Sequence, residues 1–310
     1  MGLAAQDRRK ARIAITLDLE MSRNFPTWET THWDYEKGNL DTASKEYSRQ
    51  AARLVQSHGG RIHFFAVGRV LEQEDVGWLE EIVRGGHAVG NHTYDHVNVL
   101  ATRAEDVQFR FKRAPWLLRD ASPRQALADN IRLCTQAMQT RLKIAPNGFR
   151  TPGGFADGLA GRADVQRMLM EQGFRWVSSK YARHPIDVAE PANYMPVALQ
   201  ASQPFKYAET GLVEIPMSPV SDINAFRTGR WPLERFLAAT RFAVEWCIEH
   251  GAAFDLLAHP SCLGVVDREM KTLELICSLV KQAGDRAEFA TLDAVAAQVA
   301  KGLSRNKWYK

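Results

Sequence analysis

The sequence predicts an α/β fold arranged as a closed or nearly closed barrel, TIM-barrel-like, and three observations lead there. Short apolar, β-branched runs alternate with stretches of helical periodicity from one end of the chain to the other, the pattern of repeated βα units. No linker rich in Pro, Gly or Ser divides the 310 residues, and no repeat of solenoid length is present. The residues able to carry chemistry fall at the ends of the expected strands, where α/β barrels assemble their sites. A chain of this length suits one barrel as well as two domains, and residues 1–310 are read as a single domain. A doubly wound open sheet is the main rival.

Eight strands are expected, at 12–18, 62–68, 88–92, 147–151, 176–179, 213–217, 254–259 and 288–292. The helical stretches between them lie near 42–58, 76–85, 124–142, 157–172, 232–250, 267–284 and 292–302. Gly59-Gly60 and Gly85-Gly86 suit helix ends, while Pro232 and Asp293 suit helix starts. Two longer connections, 19–41 and 97–123, contain Phe25, Trp28, Trp33, Tyr35 and Trp116. Loops of that length in compact domains often bind ligands, and these aromatic rings are of the kind that stacks on sugars or packs beneath a loop.

Composition is that of an ordinary globular protein, with 45% hydrophobic and 25% charged residues. The formal charge of +4 is too small to argue for a nucleic-acid partner. The basic runs Arg8-Arg9-Lys10 and 305–310 read as solvated ends. The opening MGLAAQDRRKARIAITLD has no apolar stretch of signal-peptide length and no later window reads as a membrane span, so a cytoplasmic protein without a membrane partner is expected. Cys134, Cys247, Cys262 and Cys277 are widely spaced with no CxxC pair, which argues for reduced thiols.

The segment Gly86-His87-Ala88-Val89-Gly90-Asn91-His92-Thr93-Tyr94-Asp95-His96 sets two histidines four apart where a strand ends. Imidazole is a common ligand for zinc and its neighbours, and His92 and His96 can face one ion. Asp18 and Glu20 close the first strand. Side chains along a strand alternate faces, so both carboxylates point one way while Leu19 points the other. One of the two can complete a His, His, carboxylate set and the other can take a proton from water. Arg150, in Phe149-Arg150-Thr151-Pro152-Gly153-Gly154, is suited to hold a carboxylate bidentately and keep it ionised. Gly153 lets backbone approach a ligand and offers an N–H to an oxyanion. His259, after the run Asp255-Leu256-Leu257-Ala258, is a ligand or a general acid. Cys262 lies three residues beyond it, and reads as a small loop residue rather than as a nucleophile.

From about Ile13 to Val299 these motifs, in this order, resemble the polysaccharide deacetylase family defined by the NodB homology region. Ile15-Thr16-Leu17-Asp18 is similar to its first motif and the strand Ile62 to Gly68 to its "TFFvvG" strand. GHAVGNHTYDH is similar to its second motif, Phe149 to Gly153 to its third, and Leu256 to His259 to its last. The resemblance implies an irregular (β/α) barrel of about seven strands, leaving one of the eight outside, and hydrolysis of a carbon–nitrogen amide bond. It implies that His92 and His96 hold a metal, that Asp18 is the base, that Arg150 tunes Asp18, and that His259 is the general acid. Trp176 is similar to the family's fourth-motif tryptophan, a substrate contact, but no aspartate precedes it at the family's spacing. Where most members have two adjacent aspartates, this chain has Asp18-Leu19-Glu20, which resembles a branch with an acid, a spacer and an acid, and Glu20 becomes the carboxylate ligand. The cofactor expected is a divalent metal, zinc first, with cobalt, nickel or no metal as alternatives. The substrate expected is an N-acetylated sugar or saccharide, or another small molecule, and a homo-oligomer is the assembly to look for. The rivals are an allantoinase-like or other small-amide hydrolase, and an inactive carbohydrate-binding protein.

Overall fold

Among the described residues, seven parallel strands follow one another in a curled sheet and an eighth pairs with the first of them off that path. A computed structural model of the chain describes residues 9–21, 37–182 and 190–302. The parallel strands are β1 (Ala11–Leu19), β2 (His63–Ala66), β3 (Ala88–Asn91), β4 (Gly148–Phe155), β5 (Trp176–Lys180), β7 (Val213–Glu214) and β8 (Ala253–Ala258). The two-residue β6 (Phe205–Lys206) pairs antiparallel with β7, and β9 (Ala287–Phe289) pairs parallel with β1 beside β8. The order is β6-β7-β5-β4-β3-β2-β1-β8, with β9 off the path. The expected (β/α) barrel is therefore present in curled form, and all eight expected strands exist. Among the described residues only β6, too short to leave a periodic signal, was not anticipated.

Seven longer helices cover the sheet: α1 (Thr42–Ser57), α2 (Gly77–Arg84), α3 (Pro123–Leu142), α4 (Ala163–Glu171), α5 (Leu233–His250), α6 (Lys271–Ala283) and α7 (Leu292–Ala300). Their ends follow local chemistry. Asp41 accepts from Ser44 N to open α1, Ser122 caps α3 ahead of Pro123, and Thr291 caps α7. The connection 97–123 contains two short helices, Ala104–Val107 and Phe109–Arg113, and the 3₁₀ turn Pro115–Leu118, each too brief to show a period in sequence. Trp116 is exposed on that turn. Phe25, Trp28, Trp33 and Tyr35 lie outside the described residues.

Two apolar layers fill the space between sheet and helices, and a third closes one end of the barrel. In the third, Leu292, Val295, Ala296 and Val299 of α7 pack with Ala14, Phe65, Trp176, Val213 and Ile215. The amino-terminal mouth is thus sealed and the carboxyl ends of the strands are left to build a site. Trp176 belongs to this seal. It starts β5 opposite Gly148 of β4, is almost fully buried, stands edge-on to Phe65 and His63, and donates Nε1–H to Asp293 Oδ1 at 2.8 Å. The expectation that Trp176 contacts substrate is corrected here, because a residue at the amino end of its strand cannot reach a pocket at the carboxyl ends.

Gly148 is required by that packing, since a Cβ there would stand 1.8 Å from Trp176 Cζ2. Gly148→Ala is expected to destabilise the protein by about 3 kcal/mol, the upper end of core overpacking, read as a lower midpoint in urea with an unchanged slope.

Candidate active site

The carboxyl ends of five strands and the connections around them converge on a pocket of about 220 Å³ whose lining includes Asp18, Glu20, Lys37, His92, His96, Thr151, Gly153, Tyr181, Asn224, Arg227 and His259. Asp18 and Glu20 both face it, while Leu19 between them is fully buried in the apolar layer behind the sheet, as strand alternation requires.

Beneath the pocket, Arg150 is completely buried and organises the floor. Its Nη1 donates to Asp18 Oδ1 at 3.0 Å and to Thr16 Oγ1 at 2.7 Å, and its Nη2 donates to Asp255 Oδ2 at 2.5 Å. Ser178 Oγ accepts from Nε and Nη2, and the Phe65 ring lies 4.2 Å beneath the guanidinium carbon. Bidentate capture of one carboxylate was the expectation. The guanidinium instead bridges two, because it enters the barrel from β4 between β1 and β8. Burial outweighs Arg150 at Asp255, whose carboxyl is pushed up to about 6.

The Arg150 backbone also orients a histidine. β3 and β4 share a single register pair, Asn91 with Phe149, and beyond it His92 Nδ1–H donates to Arg150 O at 2.9 Å. That bond fixes the ring's orientation and turns Nε2 toward Glu20 Oε2, 3.3 Å away, and Asp18 Oδ2, 3.8 Å away. His96 Nε2 lies 2.6 Å from the same Glu20 oxygen. The turn carrying both histidines holds Thr93 and His96 at positive φ, 61° and 59°, a strained geometry for non-glycine residues. Asn130 of α3 holds it there, accepting from Tyr94 N and Asp95 N and donating to Asp95 Oδ2, and Arg110 pairs with Asp95 at 2.7 Å. His87, in the same segment, is remote from the pocket, accepting from Ile62 N with Nδ1.

Glu20, His92 and His96 bring one donor atom each to within 4.8 Å of one another. Two neutral imidazole nitrogens and a carboxylate, with one imidazole already oriented by a carbonyl, fit a divalent metal with open positions. Burial pushes the Glu20 carboxyl up, but Lys37, His96 and His92 together hold it well below the usual range. His96 is pushed down to about 4 by burial and by the Lys37 charge, which keeps its imidazole neutral.

Three site residues were not anticipated. Asp222, fully buried, binds His259 twice, accepting from its backbone N at 2.7 Å and from Nδ1 at 2.9 Å. Burial alone would lower the His259 imidazole, and the Asp222 charge and hydrogen bond raise it to about 9. Asp222 lies eight residues beyond β7, where it caps the helical turn Ile223–Thr228, so no periodic run in the sequence pointed to it. Lys37 stands in the long connection 19–41 with no local signal, and Asp255 lies in an apolar run that marks it only as part of a strand. Cys262 is buried, and burial together with Asp222 pushes its thiol far up, so it is no thiolate nucleophile. All four cysteines are free and buried.

Residues 38–171 match the family model described as polysaccharide deacetylase. Solved structures of the same fold include a Mycobacterium smegmatis protein assigned to the polysaccharide deacetylases, at 17% identity and TM-score 0.64 over 97% of this chain and 94% of that one. A Pseudomonas aeruginosa PAO1 protein with the same assignment has 16% identity and TM-score 0.62 over 97% and 93%. A Puue allantoinase has 11% identity and TM-score 0.57 over 99% and 96%. No curated protein matches the sequence. Among the described residues no helix is long and apolar enough to cross a membrane.

Because Asp255 is harder to ionise in the fold than in the unfolded chain, the native state holds the extra proton between about pH 4 and 6 and stability falls as pH rises through that window. Asp255→Asn is expected to flatten this fall, measured as urea unfolding free energy across pH 4 to 7.

Proposed function

We propose that this chain, a hydrolase of carbon–nitrogen bonds whose residues 38–171 carry the polysaccharide deacetylase match, removes the acyl group from an N-acetylated sugar or short saccharide. The observation that carries the reading is the placement of a candidate base and a candidate acid around one cluster. Asp18 reaches toward His92 on one side, and His259 Nε2 stands 3.7 Å from Glu20 Oε1 on the other.

Asp18 is the base. With Oδ1 held by Arg150, its Oδ2 takes a proton from the water that attacks the acyl carbon. Glu20, His92 and His96 are the residues that would hold a divalent metal. When bound, such an ion lowers the pKa of a coordinated water and polarises an acyl oxygen. Gly153, at φ 75 with open space where a Cβ would stand, presents its peptide N–H to the oxyanion. His259, kept protonated at neutral pH by Asp222, gives its proton to the nitrogen as the carbon–nitrogen bond breaks, so that an amine and a carboxylic acid leave.

The pocket suits an N-acetylated sugar unit, and the likeness in fold to an allantoinase makes a small cyclic amide the second reading. Acetate release from N-acetylglucosamine and its short oligomers, set against ring opening of cyclic ureides, separates the two. Turnover of ureides alone would overturn the deacetylase reading. On the preferred substrate, Asp18→Asn and His259→Ala are each expected to lower kcat/KM by about 10²–10⁴, the usual contribution of one acid or base. Asp222→Asn should lower kcat by a smaller factor, with KM little changed, as befits a residue acting through His259. Near-normal kcat in Asp18→Asn or His259→Ala removes that residue from its role.

A further inference from the structure

A lysine has no place in a His, His, carboxylate donor set, yet Lys37 is seated against it. Its side chain is fully buried, with Nζ 2.7 Å from Glu20 Oε1 and 3.5 Å from His96 Nε2. His96 Nε2 meets the other carboxylate oxygen, Oε2, at 2.6 Å. Both oxygens of Glu20 are thus engaged by groups of the protein itself, one of them a full positive charge.

The lysine is placed there by the backbone. The next residue, Gly38, donates its N–H to the carbonyl of Glu20 at 2.6 Å, tying Lys37 to the residue it neutralises. Gly38 has φ +88°, and a Cβ on it would stand 2.4 Å from Arg69 Cβ, so chain direction and close approach both require glycine. Gln73 Nε2 donates to Gly38 O and Leu40 O and fixes the same turn from the other side. A buried ammonium is tolerated only when paired, and among its partners here is the carboxylate a metal would need.

We propose that Lys37 is the built-in cation of the site: its ammonium compensates Glu20 where a metal ion would, and competes with divalent metal for that carboxylate. The inference rests on the reading of Glu20, His92 and His96 as the donor set. A divalent ion drawn to Glu20 meets a fixed positive charge already bonded to the same group, so it must displace the ammonium or bind weakly. With the ammonium in place, the pocket keeps a positive charge and a hydrogen-bond donor beside the position of an acyl oxygen.

Calorimetric titration of zinc alone into the chelator-stripped full chain tests this without recourse to turnover. Lys37→Met is expected to bind one zinc at least tenfold more tightly than the unaltered chain, a gain of about 1.4 kcal/mol. Lys37→Arg should stay close to the unaltered affinity, because it keeps a charge at Glu20. Lys37→Gln, isosteric enough to keep the turn, stands in for Lys37→Met if circular dichroism shows that variant unfolded. Adding Glu20→Gln to Lys37→Met should abolish the gain. Equal or weaker zinc binding in the neutral Lys37 variants, still lost with Glu20→Gln, overturns the competition while leaving the donor set intact. Absence of zinc binding in every variant removes the donor set and the competition together.

Discussion

The buried guanidinium of Arg150 is the contact on which the rest of the site depends. It draws partners from strands that never pair with β4: Thr16 and Asp18 of β1, Asp255 of β8, and the Phe65 ring of β2, besides Ser178 of its neighbour β5. An unpaired guanidinium inside the barrel would be prohibitive, and removing one partner of a buried ion pair costs about 3–5 kcal/mol because the remaining charge is stranded. The curl of the sheet and the position of Asp18 are therefore one problem with one solution. The same residue orients His92 through its carbonyl, so candidate base and candidate ligand are registered to each other by a single strand position.

Charge in the barrel is layered. Arg150 sits low between Asp18 and Asp255, Lys37 sits higher on Glu20, and His259 with Asp222 closes one flank. Each acid has a different neighbourhood and so a different readiness to ionise. Glu20 is kept ionised by a buried ammonium and two imidazoles, whereas Asp255, more deeply enclosed and sharing its cation with Asp18, retains its proton to about pH 6. Rigidity is concentrated where these layers meet. The strained turn from Thr93 to His96 persists because Asn130 and Arg110 satisfy its backbone and its aspartate.

What was legible in the sequence was what each strand declares locally. The periodic runs located every parallel strand, and the alternation of Asp18, Leu19 and Glu20 placed two acids on one face and the leucine behind. His92, His96, Arg150 and His259 were visible because they stand at or within a few residues of strand ends. Asp222 and Lys37 were not, since their importance lies in pairing with residues 37 and 17 positions away through loops with no pattern of their own. Trp176 misled for the opposite reason. Its motif position suggested substrate, but its place at the start of β5 committed it to the packing beneath the barrel.

The two ends of the barrel are shaped by different constraints. At the amino ends the constraint is volume: Gly148 and Trp176 fit only each other, and α7 completes an apolar seal whose members are recognisable by size and periodicity. At the carboxyl ends the constraint is charge, and every buried charge must be matched by whatever element can deliver an opposite one. A carboxylate buried at position 20 calls for a cation. The chain meets that requirement with a lysine fixed by a glycine that is bonded to Glu20 itself. The cation beside Glu20 is thereby set by the loop after β1 as much as by the strands that carry the acids and histidines.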